Sequence, residues 1–289
     1  MPKISVIICV HNEELCLLNA LRSIKLNNIY EDVEVIIIND CSVNLVTKRI
    51  LSLLERLGCY KLIHSPVNLG LSNSRNLGFE NATAEYVAPL DADDTFPIGS
   101  LDKIYDTFRD NPNIDFIYGD YKLINLEKKH SELISCSVIT EDDKINLRAI
   151  FKNWILMGQS PCRKSVWSIV GGYALKYTNS VQDVDFWIRV FQQNFNGFYL
   201  PENIYNWNRS SEGMNETFDR TDYYLLLKEH YLFLSKFQNK SQLANTISEG
   251  LYKHRKLKEL VIFNVKYLLL LNYKNILRPM LLVWSNLKK

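Results

Sequence analysis

Three acidic side chains, Asp91, Asp93 and Asp94, stand within four residues and directly follow the apolar run Glu85–Leu90. If the chain is still extended there, Asp91 and Asp93 point to the same side. Carboxylates this close repel one another and raise each other's pKa unless a cation compensates. Hard carboxylate oxygens suit Mg²⁺ or Mn²⁺, and Mg²⁺ commonly combines one or two carboxylates with phosphate oxygens. The segment therefore predicts a divalent-metal site; the alternative is a solvated loop that caps the helix near Ser100.

Polar residues also follow the first two apolar runs of the chain. Ile4–Val10 is followed by His11-Asn12-Glu13-Glu14, and Val33–Ile38 is followed by Asn39-Asp40-Cys41-Ser42. Short apolar runs rich in β-branched residues are typical of strands that are covered on both faces. Because ligands of parallel α/β sheets bind at the carboxyl ends of the strands, we expect these polar segments to surround one site.

The elements that must position these residues alternate along the first 120 residues. The runs that predict strands are Ile4–Val10, Val33–Ile38, Tyr60–Ile63, Glu85–Leu90 and Ile114–Tyr118. Two of the intervening segments, Glu13–Asn27 and Val46–Leu57, carry apolar residues at helical spacing. In the second helix the residues expected on the buried face are Ile50, Leu53, Leu54 and Leu57. The alternation predicts an α/β fold with a mostly parallel central sheet and helices on both faces.

Beyond residue 120, the sequence predicts mainly helices. They are Asp143–Asn153, Arg163–Val170, Asp183–Gln193, Leu225–Phe237 and Leu243–His254. Gly171-Gly172 ends the second of them, and Phe186, Trp187 and Val190 are expected to point inward from the third. We therefore expect one α/β domain over residues 1–215, with halves 1–120 and 121–215, followed by a helical extension over 216–289.

The composition excludes several classes of protein. The 34 basic and 32 acidic side chains leave a formal charge of +2, too little for a chain that binds nucleic acid along its whole length. The six cysteines show no CxxC spacing, which favours buried free thiols in a reducing compartment. The run Ile4–Val10 lacks a cleavage site for a signal peptide, and no run reaches the roughly 18 apolar residues of a membrane span. We expect a cytoplasmic protein.

Five segments in order resemble the inverting GT-A glycosyltransferases of family 2. They are residues 4–14, 35–42, 68–78 and 90–94, and on the acceptor side the glycine turn Val170-Gly171-Gly172-Tyr173 with Gln182-Asp183-Val184-Asp185-Phe186-Trp187-Ile188-Arg189. Each segment alone is a weak signal, but their order and spacing together are specific. The resemblance covers roughly residues 3–212 and implies the GT-A fold.

The resemblance implies a site for a nucleoside-diphosphate sugar, with UDP as the expected nucleotide. The implied donor-binding residues are His11, Glu13, Asp40, Arg75, Asp91 and Arg209. Asp40 matches the carboxylate that reads the base, Asp91 would contact the ribose, and Arg75 would face the base or phosphates. Each role has an alternative: Asp40 as a helix N-cap, Arg75 in a surface ion pair, and His11 bonded to local backbone instead of stacked on the base.

The same resemblance places Mn²⁺ or Mg²⁺ at Asp93, with Asp94 as a second ligand. It makes Asp183 the base that deprotonates the acceptor hydroxyl, with Asp185 as the competing carboxylate. A single displacement would invert the anomeric centre. The implied acceptor is a saccharide or a lipid-linked saccharide, in the assembly of surface polysaccharide or lipopolysaccharide.

Three positions depart from the family pattern. Many relatives have Asp at Asn39, Glu at Gln182 and His at Asn208. Because an amide is a poorer metal ligand than imidazole, the third protein ligand stays open, and we expect Arg209 to supply compensating positive charge. These departures keep a non-catalytic sugar-nucleotide-binding relative as an alternative. A nucleotidyltransferase is the other alternative, but the acidic turn after the first strand disfavours it, because such enzymes carry a glycine-rich basic loop there.

Residues 253–289 differ in charge from the rest of the chain. They contain nine Lys or Arg and one acid, about +8, which leaves about −6 for residues 1–252. The apolar segments and aromatic residues of this tail are Leu260–Phe263, Leu268–Leu271, Met280–Trp284, Tyr267, Tyr273 and Trp284, and Pro279 limits any helix across it. One interpretation is an interfacial helix on an anionic membrane at its cytoplasmic face. The other is a helix packed on the catalytic domain or on a second subunit.

Overall fold

A run of seven residues, β1 (Ile4–Val10), lies inside the central sheet of the computed structural model. It pairs in parallel with β2 (Val33–Asn39) on one side and with β4 (Tyr86–Asp91) on the other. All residues of β1 except Cys9 are buried, as expected for a strand that is covered on both faces. The structure describes residues 1–125, 127–142, 144–152, 154–177, 181–209, 220–272 and 274–279.

The main sheet has eight strands in the order β10, β5, β9, β4, β1, β2, β3, with β6 paired to β5. The remaining strands are β3 (Lys61–His64), β5 (Phe116–Asn125), β6 (His130–Ile134), β9 (Cys162–Arg163) and β10 (Gly197–Arg209), and a separate pair is formed by β7 (Thr140–Glu141) and β8 (Lys144–Ile145). The β1–β2, β2–β3, β1–β4 and β5–β10 pairs are parallel, whereas β9 is antiparallel to β4 and β5. The predicted mostly parallel sheet is confirmed, and the ends of β1, β2 and β4 meet at one edge.

Within the described residues up to 192, seven α-helices accompany the strands. They are α1 (Cys16–Lys25), α2 (Leu45–Leu57), α3 (Leu71–Asn81), α4 (Ser100–Asp110), α5 (Leu147–Lys152), α6 (Lys164–Val170) and α7 (Gln182–Gln192). Helix α1 begins later than predicted because Asn12 and Glu14 adopt the left-handed conformation, with φ of 77° and 51°. As predicted, Phe186, Trp187 and Val190 of α7 are buried.

The predicted buried face of α2 is partly wrong. Ile50 and Leu54 are buried, but Leu53 and Leu57 are 58% and 68% exposed. The buried stripe instead includes Leu51, one helical turn before Leu54, and Thr47, two turns before it. The buried face of α2 is therefore rotated about the helix axis relative to the face predicted from the apolar residues alone.

Two predicted helices are also corrected. Of the segment predicted over Asp143–Asn153, only Leu147–Lys152 is helical, residues 144–145 form β8, and residues 143 and 153 lie outside the described residues. The segment predicted over Leu225–Phe237 forms two helices, α8 (Arg220–Glu229) and α9 (Tyr231–Leu234).

Backbone contacts divide the chain into two units. The first comprises residues 1–146 and 155–216, and the second comprises 147–154 and 217–289. The second unit contains α5, α8, α9, α10 (Lys240–Lys253) and α11 (Leu257–Lys266), so the predicted helical character of the C-terminal region is confirmed. In this unit the rings of Tyr231, Phe263 and Tyr267 pack together, with centroid distances of 4.3–5.6 Å. Contacts do not establish that either unit folds alone. The domains 1–215 and 216–289 therefore stay a prediction.

Candidate active site

The acidic segment begins at the end of β4 with Asp91, whose carboxylate has a partner on each oxygen. Arg75 Nη2 donates to Asp91 Oδ1 at 2.8 Å, and Gln159 Nε2 donates to Asp91 Oδ2. Arg75 is only 3% exposed, so this ion pair is not the surface pair considered above. The two hydrogen bonds fix the plane of the Asp91 carboxylate where the strand ends.

The guanidinium of Arg75 retains unused hydrogen-bonding capacity. Its Cζ lies 5.4 Å from the centroid of the Tyr173 ring, and its buried Nη1 has no hydrogen-bond partner among the described residues. Burial opposes the charged form and the nearby Asp91 carboxylate favours it, and the net effect is a raised pKa of Arg75. Because buried guanidinium N–H groups are rarely left unsatisfied, Nη1 is a candidate donor to a polar or anionic ligand.

Two residues of strand β10 form hydrogen bonds to the acidic segment that contains Asp93 and Asp94. Tyr205 Oη donates to Asp94 Oδ2 at 2.8 Å and accepts from the Asp91 backbone N–H at 3.1 Å. The Asn208 N–H donates to Asp94 Oδ1 at 2.7 Å, and Asn208 Nδ2 donates to the Asp93 carbonyl at 2.8 Å. Asp94 is thus 2% exposed with both oxygens hydrogen-bonded, whereas Asp93 is exposed. We call these contacts of Tyr205 and Asn208 the β10 clamp.

The electrostatics around Asp93 fit a cation. Loss of hydration and the charge of Asp91 raise the pKa of Asp93 to about 6. Loss of hydration, with a smaller contribution from Asp93, raises the pKa of Glu13 to about 7. In the described parts of the chain, no three His, Cys, Asp or Glu side chains are grouped so that they could hold a metal. A divalent ion at Asp93 would therefore need further oxygen ligands from water or from a bound phosphorylated molecule.

A second group of polar side chains lies at the ends of β1 and β2. Asp40 is buried, and its two oxygens accept from the Leu69 and Gly70 N–H groups at 2.6 and 2.8 Å. His11 Nδ1 lies 2.7 Å from the Asp40 carbonyl, and Nε2 lies 3.3 Å from Asn68 Nδ2. Because a carbonyl can only accept, Nδ1 carries the proton and Nε2 accepts from the amide. Both edges of the His11 ring are bonded to protein, and its faces remain for stacking.

The carboxylate of Asp183 lies in the first turn of α7, beside Gly158. A Cβ built on Gly158 would lie 2.4 Å from Asp183 Oδ2, so the two residues touch. Desolvation raises the pKa of Asp183, opposed by the charge of Arg75 and by backbone hydrogen bonds. A carboxylate with a raised pKa accepts a proton more readily than an ordinary Asp, as a general base requires.

Asp185, the competing carboxylate, has a different environment. It is 1% exposed and bonded to Arg189, whose Nε and Nη2 lie 2.8 and 2.7 Å from Asp185 Oδ2. Arg189 Nη1 also donates to the Val170 carbonyl. Asp185 therefore ties α7 to the end of α6, and the geometry favours Asp183 as the base.

The glycine turn after α6 is docked on α3. Gly171 and Gly172 have φ of 78° and 72°, and a Cβ on Gly172 would lie 2.7 Å from Asn76 Oδ1. That oxygen accepts from the Trp167 Nε1–H and from the Tyr173 N–H at 2.9 and 2.7 Å. Asn76 thereby fixes Tyr173, which packs on Arg75.

The positions that depart from the family pattern are largely occupied by structural contacts. Asn39 Oδ1 accepts from the Ser42 N–H at 3.0 Å, and its Nδ2 lies 2.9 Å from His64 Nδ1. Gln182 is 6% exposed, and its Oε1 is buried without a hydrogen-bond partner among the described residues. Arg209 is exposed at the last residue of β10, next to Asn208 of the β10 clamp.

Three residues of the site had no assigned role in the sequence-based prediction: Gln159, Tyr205 and Asn76. Tyr205 lies in the segment with Asn208, where attention fell on metal ligands, and Asn76 lies in the donor-side segment. No local signal distinguishes Gln159, because its partner Asp91 is 68 residues away. The predicted residues Arg75, Asp91 and Asp183 are near enough for their charges to interact.

Comparison with known proteins places this site in a family context. The sequence profile of Glycosyl transferase family 2 matches residues 5–164. An uncharacterized glycosyltransferase of Haemophilus influenzae is 32% identical over 137 residues, which are 47% of this chain and 54% of the relative. The putative glycosyltransferase EpsE of Bacillus subtilis is 26% identical over 232 residues, 73% of this chain and 74% of EpsE. The chain thus spans about half the length of the Haemophilus relative.

A solved structure shares the fold. S. aureus TarS 1–349 in complex with UDP-GlcNAc superimposes with a TM-score of 0.67 at 18% identity, over 98% of this chain and 79% of that one. At this level of identity the likeness concerns the fold alone, a central sheet surrounded by helices.

Proposed function

The chain belongs to Glycosyl transferase family 2, and on this premise we propose that it transfers a sugar from a nucleoside-diphosphate sugar to an acceptor hydroxyl, with inversion at the anomeric carbon. The observation that carries the proposal is the arrangement of Arg75, Asp91 and Asp183. A buried cation with an unsatisfied N–H lies beside a strand-end carboxylate and a second carboxylate of raised pKa. Such a set can bind a diphosphate on one side and deprotonate a hydroxyl on the other.

We propose a UDP-sugar as the donor. His11 and Asp40 lie together at the ends of β1 and β2, where the ring faces of His11 suit a nucleobase. Asp40 acts by shaping the Asn68–Gly70 backbone, since its carboxylate accepts from two amides of that turn. The shared fold with TarS, solved with UDP-GlcNAc, supports this choice of nucleotide.

For the metal, we propose Mn²⁺ or Mg²⁺ bound by Asp93 together with the donor's diphosphate. Such an ion, when bound, neutralises charge on the departing diphosphate. Asp94 was predicted as a second ligand, but its two oxygens already accept from Tyr205 and Asn208. We therefore propose that Asp94 holds the segment in place while Asp93 provides the exposed carboxylate. We also propose Arg209 and Glu13 as donor-binding residues: Arg209 supplies positive charge for the phosphates, and Glu13 lies near enough to Asp93 for their charges to interact.

In the proposed reaction, Asp183 takes the proton of the acceptor hydroxyl as the hydroxyl oxygen attacks the anomeric carbon. The bond from that carbon to the diphosphate breaks on the opposite face, which inverts the centre. Positioned bases of this kind contribute about 10²–10⁴ in rate. Arg75 lies close enough to both Asp91 and Asp183 to stabilise their charged forms.

We propose a saccharide or lipid-linked saccharide as the acceptor, in surface polysaccharide assembly. The support is the similarity to the poly-β-1,6-N-acetyl-D-glucosamine synthase of Staphylococcus epidermidis, 27% identical over 64% of this chain and 42% of that enzyme. No helix in the described ranges is long and apolar enough to cross a membrane.

We further propose that the C-terminal region contacts an anionic membrane. The inner side of α11 is packed, with Leu260 and Phe263 at most 2% exposed. On its other side, Ile262 is 56% exposed and Val265 is 74% exposed. Leu269, just beyond the helix, is 99% exposed. Apolar side chains beside an excess of Lys and Arg match an interfacial surface. The predicted anchors Tyr273 and Trp284 and the segment 280–284 lie outside the described residues.

A panel of nucleotide sugars tests the proposed function against its two alternatives. A glycosyltransferase releases nucleoside diphosphate from one donor, and the release rises when the matching acceptor is added. A nucleotidyltransferase forms or releases pyrophosphate from a nucleoside triphosphate instead. A non-catalytic relative binds the nucleotide and releases nothing, which would overturn the proposal.

A further inference from the structure

We infer that the Gly158–Gln159 turn is a positioning element for both functional carboxylates, acting on Asp91 through Gln159 and on Asp183 through Gly158. The inference rests on the proposed function, because it assumes that Asp91 serves the donor and Asp183 serves the acceptor. It adds two residues to that site, each with a different expected effect.

On the donor side, the turn supplies one of the two hydrogen bonds of Asp91. Arg75 donates to Asp91 Oδ1, and Gln159 Nε2 donates to Asp91 Oδ2. With Oδ1 held by Arg75, the hydrogen bond from Gln159 sets the rotation of the carboxylate about the Cβ–Cγ bond. Arg75 is buried and packed on Tyr173, which makes its contact a permanent part of the fold. Gln159 is half-buried and is therefore the partner that borders the space for a ligand.

On the acceptor side, the turn makes room for the base. A Cβ on Gly158 would lie 2.4 Å from Oδ2 and 2.8 Å from Cβ of Asp183, so any side chain at position 158 would force Asp183 or the turn to shift. The Gly158 carbonyl accepts from the Trp187 Nε1–H at 3.1 Å, and Trp187 is fully buried in the same helix as Asp183. The turn is thus anchored to α7, and the backbone of Gly158 forms a wall against Asp183.

The turn is closed internally, so the two contacts are linked. The Ser160 N–H and Oγ both donate to the Met157 carbonyl, at 3.2 and 2.8 Å. Successive Cα atoms are about 3.8 Å apart, so Gly158 and Gln159 cannot move independently by much. One short turn therefore sets the separation between the donor carboxylate and the base, which a single displacement requires.

The first test is Gln159→Met, which keeps the length of the side chain and removes the amide. We expect UDP binding, measured by calorimetry, to weaken about three- to tenfold, the range for one net hydrogen bond. KM for the donor should rise to match, with a smaller change in kcat. Gln159→Glu should weaken binding further, because it sets a carboxylate against Asp91. Gln193→Met, an exposed position beyond α7, is the matched control and should leave both constants unchanged.

The second test is Gly158→Ala, which pushes on Asp183. Because misplacement by about 1 Å can cost about 10²-fold in rate, we expect kcat to fall by that order while UDP affinity stays within about twofold. If Gly158→Ala does not fold, the Gln159 variants still decide the matter. If the turn is purely structural, Gln159→Met and Gln159→Glu should lose stability to the same extent while UDP affinity and the donor KM stay unchanged. That result would overturn the inference. A wild-type protein that releases no nucleoside diphosphate from any donor would overturn the proposed function instead.

Discussion

Asp183 and Asp185 are two positions apart in sequence, but their environments differ. Asp185 is buried in an ion pair with Arg189, which fixes both its charge and its position. Asp183 forms no such ion pair within the described part of the chain, and desolvation raises its pKa. The sequence alone offered both as the base, because their spacing and type are alike.

Asp183→Asn should abolish transfer while making the protein more stable. We expect kcat to fall by at least about 10², with donor affinity within a few fold of the wild type. A folded-state pKa above the ordinary value means that ionised Asp183 costs stability above that pKa, and that this cost disappears as the pH falls toward the ordinary Asp range. The melting temperature of the variant should therefore exceed that of the wild type at pH 8, and by less at pH 5. A fully active Asp183→Asn would show that another residue is the base.

Asp185→Asn should show the opposite pattern. Removing one partner of a buried ion pair leaves Arg189 uncompensated, and such changes cost up to about 3–5 kcal/mol of the free energy of unfolding. Chemical denaturation measures this loss. Below its unfolding temperature, the variant should keep the pH dependence of the wild-type rate. An inactive but stable Asp185→Asn beside an active Asp183→Asn would exchange the two roles.

At the scale of elements, β10 shapes the acidic segment from the edge of the main sheet, with Ile204 and Tyr205 buried in the core. Tyr205 Oη links the Asp91 N–H to the Asp94 carboxylate, and Asn208 bonds both Asp93 and Asp94. The side-chain amide of Asn208, at the position where the resemblance implies His in many relatives, donates to the Asp93 backbone carbonyl. If Asp93 binds the proposed ion, we expect metal affinity to depend on the β10 clamp.

Tyr205→Phe tests the β10 clamp. It leaves Asp94 Oδ2 buried with one donor fewer, which should cost about 1–3 kcal/mol of stability. The concentration of Mn²⁺ that gives half-maximal activity should rise several fold. Tyr199→Phe is the matched control, because Tyr199 Oη donates to Asp120 at 2.7 Å from the same strand but away from the acids. Equal Mn²⁺ requirements in the two variants would contradict a role of the β10 clamp in metal binding.

The parts predicted from the sequence are those with local signals. The strands β1, β2 and β4 were found because their apolar runs are long and end in polar turns. The β10 clamp was missed because its contacts join residues more than 110 positions apart. Leu53 and Leu57 were misplaced because helical spacing gives a periodicity but not the angle at which the helix meets its neighbours.

At the scale of the whole molecule, the catalytic proposal does not account for the uneven distribution of charge along the chain. The region 253–289 carries about +8 and the rest of the chain about −6. An anionic surface would attract the first and repel the second, so a membrane contact would orient the protein. The described part of α11 presents apolar side chains together with this charge.

Vesicle sedimentation tests this membrane contact. We expect binding that grows with the anionic lipid fraction, weakens in salt, and falls several fold in the double variant Val265→Glu, Leu269→Glu. Deleting the region would be less informative, because Leu260 and Phe263 are core residues of their unit. Leu232→Glu, at a position 64% exposed outside the region, is the control and should bind as the wild type does. Equal binding to neutral and anionic vesicles would contradict the proposal.

We propose that this chain moves a sugar with the help of a divalent ion held at Asp93, and one assay tests this proposal directly. The assay measures the rate of nucleoside diphosphate release from the active donor in the presence of acceptor. It compares the wild type with Asp93→Asn, each with Mn²⁺ and after EDTA treatment. We expect release by the wild type with Mn²⁺, reversible loss in EDTA, and near-complete loss in a folded Asp93→Asn at every Mn²⁺ concentration. Full release by the wild type in EDTA, or by Asp93→Asn, would contradict it.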